Sequence, residues 1–141
     1  MAIFNFFNSF TTAVAAGTHA GCLNADTDTI KVYLTNAAPS ASLDSVKADL
    51  AEITNENGYT APLDTQNAAT QTGTTITLVG TDPTTITASG GTIGPFQYAV
   101  IYNDTAASDE LIGWWDYGSA VTLADTETFD INFGASMFTV G

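Results

Sequence analysis

Hydrophobic positions recur at helical spacing only near the start of the chain. Four apolar residues follow one another at intervals of four, three and four positions: Ile3, Phe7, Phe10 and Val14. This spacing places them on one face and predicts a helix over residues 2–16, ended by Gly17. Such an apolar face must be buried, either on the chain's own sheet or on a neighbouring subunit, and both alternatives stay open here.

From residue 29 onwards, apolar side chains alternate with polar ones, which is typical of strands with one buried face. The predicted strands cover residues 29–35, 74–79, 84–88, 96–102, 111–117, 129–133 and 137–140. Gly118 is expected to break the strand 111–117. Residues 45–53 fit either two helical turns or an irregular edge, whereas residues 59–73 are predicted to be a long connection.

Many short strands, regular turn signals and little helix outside the N-terminus predict a mainly β fold. We expect an antiparallel β-sandwich or jelly-roll-like barrel with a short N-terminal α-helix. The chain has 141 residues, the usual size of one domain. Residues 1–17 are predicted to form an apolar helix or arm, and residues 18–141 a single β-sandwich domain.

The charge of the chain excludes some classes of partner. Two lysines, no arginine and fifteen acidic residues give a net charge of −13. Nucleic acid and anionic membrane surfaces are therefore unfavourable partners, because both bind through Lys and Arg. No stretch approaches the roughly 20 apolar residues that span a bilayer. The apolar start lacks the basic residues of a signal peptide, so export through a cleaved signal is not expected.

The residues that carry most enzyme chemistry are scarce. His19 is the only histidine and Cys22 the only cysteine. A His-x-x-Cys pair supplies at most two of the four ligands of a zinc site. No phosphate-binding loop, nucleophile elbow or dinucleotide motif is present. We therefore expect no catalytic residues, no cofactor and no enzymatic activity.

Acidic pairs offer a weaker possibility, a calcium site made of carboxylate oxygens. Two sets could meet in loops: Asp26 with Asp28, and Asp104 with Asp109 and Glu110. Neither set matches an EF-hand loop, and fifteen acidic residues make some pairs inevitable. A solvated acidic surface is the favoured interpretation, and no metal site is predicted.

Aromatic residues give a stronger signal. Trp114 and Trp115 are neighbours on a predicted strand and should face opposite sides of the sheet. One can enter the core, while the other can lie under a loop, under the N-terminal helix or in a subunit contact. A sugar-binding platform is the rival interpretation. The candidate interface residues are Phe4, Phe7, Phe10, Trp114 and Trp115.

The most distinctive segment covers residues 96–117, FQYAVIYNDTAASDELIGWWDY. It resembles a group of small structural proteins of tailed bacteriophages. The opening AIFNFFNSF, the strand IKVYLTNAAPS and the segment AEITNENGYTA are similar to the same group. The resemblance covers nearly the whole chain in order, and the group comprises capsid decoration (cement) proteins and minor tail components.

This resemblance implies a non-enzymatic virion protein, foremost a capsid decoration protein that binds the phage major capsid protein and stabilises the head lattice. It further implies self-association as a homotrimer, synthesis in the bacterial cytoplasm and a final place on the capsid surface. The alternative is a tail or fibre component, or an adhesin-like module that recognises a glycan. Deleting residues 1–16 is expected to weaken assembly more than it unfolds the domain.

Overall fold

The structure is a computed structural model that describes residues 2–141, with the side chain of residue 25 excepted. The chain is mainly β, with antiparallel sheets and a short N-terminal α-helix, which confirms the predicted class. The strands are β1 (Phe4–Phe6), β2 (Ile30–Thr35), β3 (Leu63–Asp64), β4 (Ala68–Thr72), β5 (Thr75–Val79), β6 (Ile86–Thr87), β7 (Ile93–Asn103), β8 (Leu111–Leu123), β9 (Thr128–Phe129) and β10 (Phe138–Val140). The helical elements are α1 (Asn8–Ala15), a π-helical turn (Gly21–Ala25) and a 3-10 turn (Lys47–Asp49).

Ten strands form three sheets. The largest has five strands in the order β1-β8-β7-β2-β3, and the others have the orders β10-β5-β4 and β6-β9. Within the described residues none of the sheets closes into a barrel, so the jelly-roll-like barrel is not formed. Side chains from all three sheets meet in one main core, a sandwich-like arrangement.

The five-stranded sheet is buried on both faces because its central strands are apolar on both sides. In β2, Val32 and Leu34 face the main core, whereas Tyr33 faces a second, smaller core on the opposite side. The second core lies between the sheet and the loop after β2. It contains Phe7, Tyr33, Leu50, Val100, Tyr102 and Leu111.

The predicted helix over residues 2–16 is only partly correct. Residues 4–6 form β1, which pairs antiparallel with residues 113–115 of β8, and the helix starts at Asn8. Ile3 lies outside the helix and is 80% exposed, so it does not share a buried face with Phe7 and Phe10. Pairing with β8 overrides the helical spacing, because sheet hydrogen bonds satisfy the backbone of this short segment equally well.

Three further expectations change. The long connection predicted over residues 59–73 contains β3 and β4, although its residues show no clear alternation. The strand predicted over 129–133 is regular only at its start, as β9. Its alternation still determines burial, since Ile131 and Phe133 are buried and Asp130 and Asn132 are exposed. The segment 45–53 contains a single 3-10 turn.

Gly118 does not end the strand that starts at Leu111, because β8 continues to Leu123. It does mark an irregularity. Between the pairs Tyr98–Asp116 and Phe96–Val121, the register advances two residues along β7 but five along β8. The extra residues of β8 form a wide bulge, in which Gly118 adopts a φ of +96°.

Candidate functional site

The N-terminal strand β1 closes one edge of the five-stranded sheet. Gly113 makes this possible, because a side chain there would collide with the Phe4 ring and the Asn5 carbonyl. The Phe4 ring then packs on Trp115, with ring centres 4.8 Å apart, and stacks on Phe138 at 5.2 Å. An aromatic cluster therefore attaches the N-terminus to both large sheets.

The five candidate interface residues all lie in or beside this region, but they are not equally accessible. Phe7 and Phe10 are buried, at 1% and 5% exposure, and leave little surface for a partner. Phe4, Trp114 and Trp115 are half-buried. The burial of Phe7 and Phe10 supports the alternative in which the N-terminal segment packs on the chain's own sheet.

The two tryptophans face opposite sides of the sheet, as their spacing predicts. Trp114 packs on Phe7, 4.5 Å between ring centres, beside the second core. Trp115 packs on Phe4 and, at 5.7 Å, on Phe133 beside the main core. Only Trp115 lines the groove described next.

An open groove of about 110 Å³ runs between the β7–β8 pair and the segment after β9. We call it the aromatic groove. The polar and aromatic side chains that line it include Gln97, Trp115, Tyr117, Phe129, Asp130 and Asn132. Ala2 of the N-terminal segment also lines it. Sites that enclose small molecules usually hold roughly 300–1,000 Å³, so this groove suits one inserted side chain or one sugar ring lying on its surface.

The β8 bulge supplies the most exposed aromatic ring of the groove. It turns Tyr117 outwards, at 60% exposure, where its ring meets Phe129 edge-on at 5.6 Å. Asp116 supports the bulge, because its Oδ1 accepts hydrogen bonds from the Gly118 N–H and from Gln97 Nε2. Bulges of this kind often re-aim a side chain at a binding surface.

Neither Tyr117 nor the groove residues of the segment that starts with β9 are among the site residues that the sequence predicts. One signal in the sequence could have indicated Tyr117. The Asp-Tyr-Gly spacing, with Asp two residues before Gly, favours a local turn that interrupts strand pairing. The role of Phe129, Asp130 and Asn132 depends on which strands become neighbours, which a single sequence does not state.

The only histidine and the only cysteine lie inside the protein, away from the groove. The His19 ring stacks on Phe10, with ring centres 5.3 Å apart, and its Nδ1 lies 3.3 Å from Asn103 Nδ2. Burial lowers the pKa of His19 from its ordinary value, against the opposing effects of Glu110 and Asp28. His19 is therefore neutral at pH 7.

Cys22 is equally inaccessible. Its thiol donates a hydrogen bond to the His19 carbonyl at 3.2 Å, and burial raises the pKa of the thiol to about 12. Because the thiolate is the reactive form, this cysteine is chemically inert near neutral pH.

The acidic pairs are engaged in structural contacts. Asp26 accepts a hydrogen bond from the Ala69 N–H, and Asp28 accepts one from Asn103. Asp104 binds Lys31 at 2.7 Å, and this contact holds the pKa of the Asp104 carboxyl below its usual range. Across the described residues, no group of three or more His, Cys, Asp or Glu side chains is placed to hold a metal ion.

Both lysines are paired with carboxylates, Lys31 with Asp104 and Lys47 with Glu52 at 3.0 Å. The remaining acidic residues have no cationic side chain as a counterpart, since the chain contains no arginine. The surface field is thus negative, and it favours encounters with basic surfaces.

Comparison with protein-family models, curated proteins and solved structures finds no match to this chain. Over residues 2–141, the helices are too short to cross a membrane.

Proposed function

We propose that this chain is a non-enzymatic structural component of a phage virion, most specifically a capsid decoration protein that binds and stabilises the head lattice. The phage virion is inferred from the resemblance of residues 2–10, 30–40, 51–61 and 96–117 to small virion proteins. The docking role is supported by one structural observation, the exposed apolar surface at the N-terminal edge of the large sheet.

That surface consists of Ile3, Phe6 and the aromatic groove, and we call it the docking surface. Ile3 lies directly before β1 and is 80% exposed. Phe6 is the last residue of β1 and is 38% exposed. Ala2, the residue before Ile3, lines the groove, and the groove also carries the 60% exposed Tyr117. Single exposed apolar residues are common, but several at one edge are typical of an interaction site.

The proposed partner is the phage major capsid protein, with the chain self-associating as a homotrimer at a local symmetry axis. Many copies on one lattice would strengthen a modest individual contact. A basic patch on the coat protein would complement the acidic surface and speed the encounter. The inert Cys22 and buried His19 fit a role without catalysis.

The docking surface is tested by co-sedimentation with phage heads that lack this protein. We expect the double variant Ile3→Ser with Phe6→Ser to bind at least about tenfold more weakly, because burying one large apolar side chain contributes roughly 1.5–3 kcal/mol. Leu43→Ser is the matched control, since Leu43 is 81% exposed but lies in the loop after β2. Unchanged binding of the double variant, or equal weakening by the control, would contradict the proposal.

A second candidate is a tail or fibre component that recognises a glycan. The observation in its favour is the groove, which combines the exposed Tyr117 ring with hydrogen-bonding side chains at Gln97 and Asn132. Aromatic faces with a few polar groups are suited to bind a sugar ring. Glycan-array binding that is lost in Trp115→Ala and kept in Trp114→Ala would favour this function over capsid decoration.

A further inference from the structure

His19 lies in a hydrogen-bond network that fixes the orientation of a neighbouring amide. Asn103 Oδ1 accepts hydrogen bonds from the N–H groups of Thr105 and Ala106 at 3.0 and 3.3 Å. Asn103 Nδ2 donates to Asp28 Oδ2 at 2.8 Å and points at the Thr18 carbonyl at 3.2 Å. Rotating the Asn103 amide by 180° would place donor against donor or acceptor against acceptor at each of these contacts.

This fixed orientation restricts where His19 can carry a proton. Nδ1 faces Asn103 Nδ2, which carries only hydrogens, so a proton on Nδ1 would meet another donor. Nδ1 therefore acts as an acceptor, and it shares the second Nδ2 hydrogen with the Thr18 carbonyl. Nε2 is buried without a hydrogen-bond partner. The neutral ring therefore leaves one nitrogen unsatisfied, whereas the protonated ring would bury two unsatisfied N–H groups and a positive charge.

The ring also belongs to the packing that holds the N-terminal segment, residues 2–16. His19 stacks on Phe10, which stacks on Phe6 at 4.8 Å and meets Phe138 edge-on at 5.7 Å. Asn103, at the end of β7, connects the same ring to the large sheet. Displacing the ring would remove one of the three ring contacts that hold Phe10.

We propose that His19 is a proton-sensitive latch, which holds the N-terminal segment while its ring is neutral and releases that segment when the ring takes a second proton. The titratable groups that face it are Asp28, Glu110 and Cys22. The two carboxylates favour a protonated ring, but burial outweighs them, and Cys22 stays a neutral thiol. The latch concerns how the segment is held, so it stands whether or not the docking surface binds a coat protein.

The sign of the pH dependence follows from the lowered pKa of the folded protein. When the N-terminal segment is released, His19 takes its second proton near the ordinary imidazole pKa of 6.5. When the segment is packed, burial lowers the pKa of His19, so the ring takes this proton only at lower pH. The latch is thus fully effective above about pH 6.5 and weakens as the pH falls below it.

Hydrogen exchange of the whole protein at pH 7 and pH 5 tests this inference. After correction for intrinsic rates, we expect amides of residues 6–16 to exchange faster at pH 5, by up to about 25-fold, the limit for a ring that titrates only when released. Central amides of β7 serve as the internal reference. They should stay better protected than residues 6–16 at both pH values, because they exchange only through global unfolding, whereas the N-terminal amides also exchange through local release.

His19→Asn is the decisive variant, because its side-chain oxygen can accept from Asn103 but does not titrate. Its exchange ratio between the two pH values should stay close to one, even if its overall stability is lower. Because the chain has a single histidine, NMR of the imidazole gives a second, independent measurement in the unmodified protein. The latch is refuted if His19 titrates at 6.5 with no change in N-terminal exchange, or if His19→Asn keeps the same pH dependence.

Discussion

Phe6 and Phe10 are four residues apart in the sequence but have different roles in this protein. Phe10 is buried between His19, Phe6 and Phe138, whereas Phe6 keeps more than a third of its surface in solvent. A buried ring contributes mainly to stability, and an exposed ring is available for binding. The sequence alone does not separate the two, because both belong to one apolar segment.

This difference leads to a prediction for single substitutions. Phe10→Ala should lower the free energy of unfolding by about 3–5 kcal/mol, because it leaves a cavity in the main core. Phe6→Ala should cost clearly less and mainly affect binding. Urea unfolding of both variants measures the difference. A negligible loss for Phe10→Ala would indicate that the N-terminal segment is an arm meant for a neighbouring subunit, and an equal loss for Phe6→Ala would show that both rings are core residues.

The burial of Phe7 and Phe10 also changes the expectation for the N-terminal segment. Two of the side chains that residues 2–16 contribute are core residues, and Phe7 additionally donates its N–H to the Ile112 carbonyl at 3.2 Å. Removing the segment should therefore destabilise the whole domain. The burial of Phe7 and Phe10 thus argues against the expectation that deleting residues 1–16 weakens assembly more than it unfolds the domain.

At the scale of elements, the strands with strict alternation were predictable. β2 and β7 lie close to where the pattern places them, although β7 starts at Ile93, three residues before the predicted strand. Their side chains are apolar on both faces and fill the two cores. β1 was not predictable, since three residues carry too little pattern and its pairing depends on Gly113 of a distant strand. β4, with the sequence AATQT, is a strand only because β5 provides its partner.

The aromatic groove could be predicted in part. The spacing of Trp114 and Trp115 correctly predicts that the two rings face opposite sides of the sheet. The bulge that exposes Tyr117 comes from unequal numbers of residues on β7 and β8, which is a property of the paired strands. The local sequence indicates the tendency of a segment to form a strand. The register in which two strands pair depends on both strands, which can be distant in the chain.

At the scale of the whole molecule, the fold combines a strongly acidic surface with one apolar edge. Mutual repulsion of copies with a charge of −13 opposes random association. The aromatic groove has one charged residue on its lining, Asp130, and the exposed Asp116 lies beside it, bonded to Gln97. This combination favours attachment to a specific, basic or neutral partner over self-aggregation, as a decoration protein requires.

The number of copies of this chain in purified virions tests the central claim most directly. Quantitative mass spectrometry against the major capsid protein gives this ratio without any assumption about docking geometry. A decoration protein that occupies a symmetric head lattice should be present in hundreds of copies, on the order of the coat protein itself. A dozen copies or fewer would contradict capsid decoration and indicate the tail, and absence from the particle would contradict a virion role altogether.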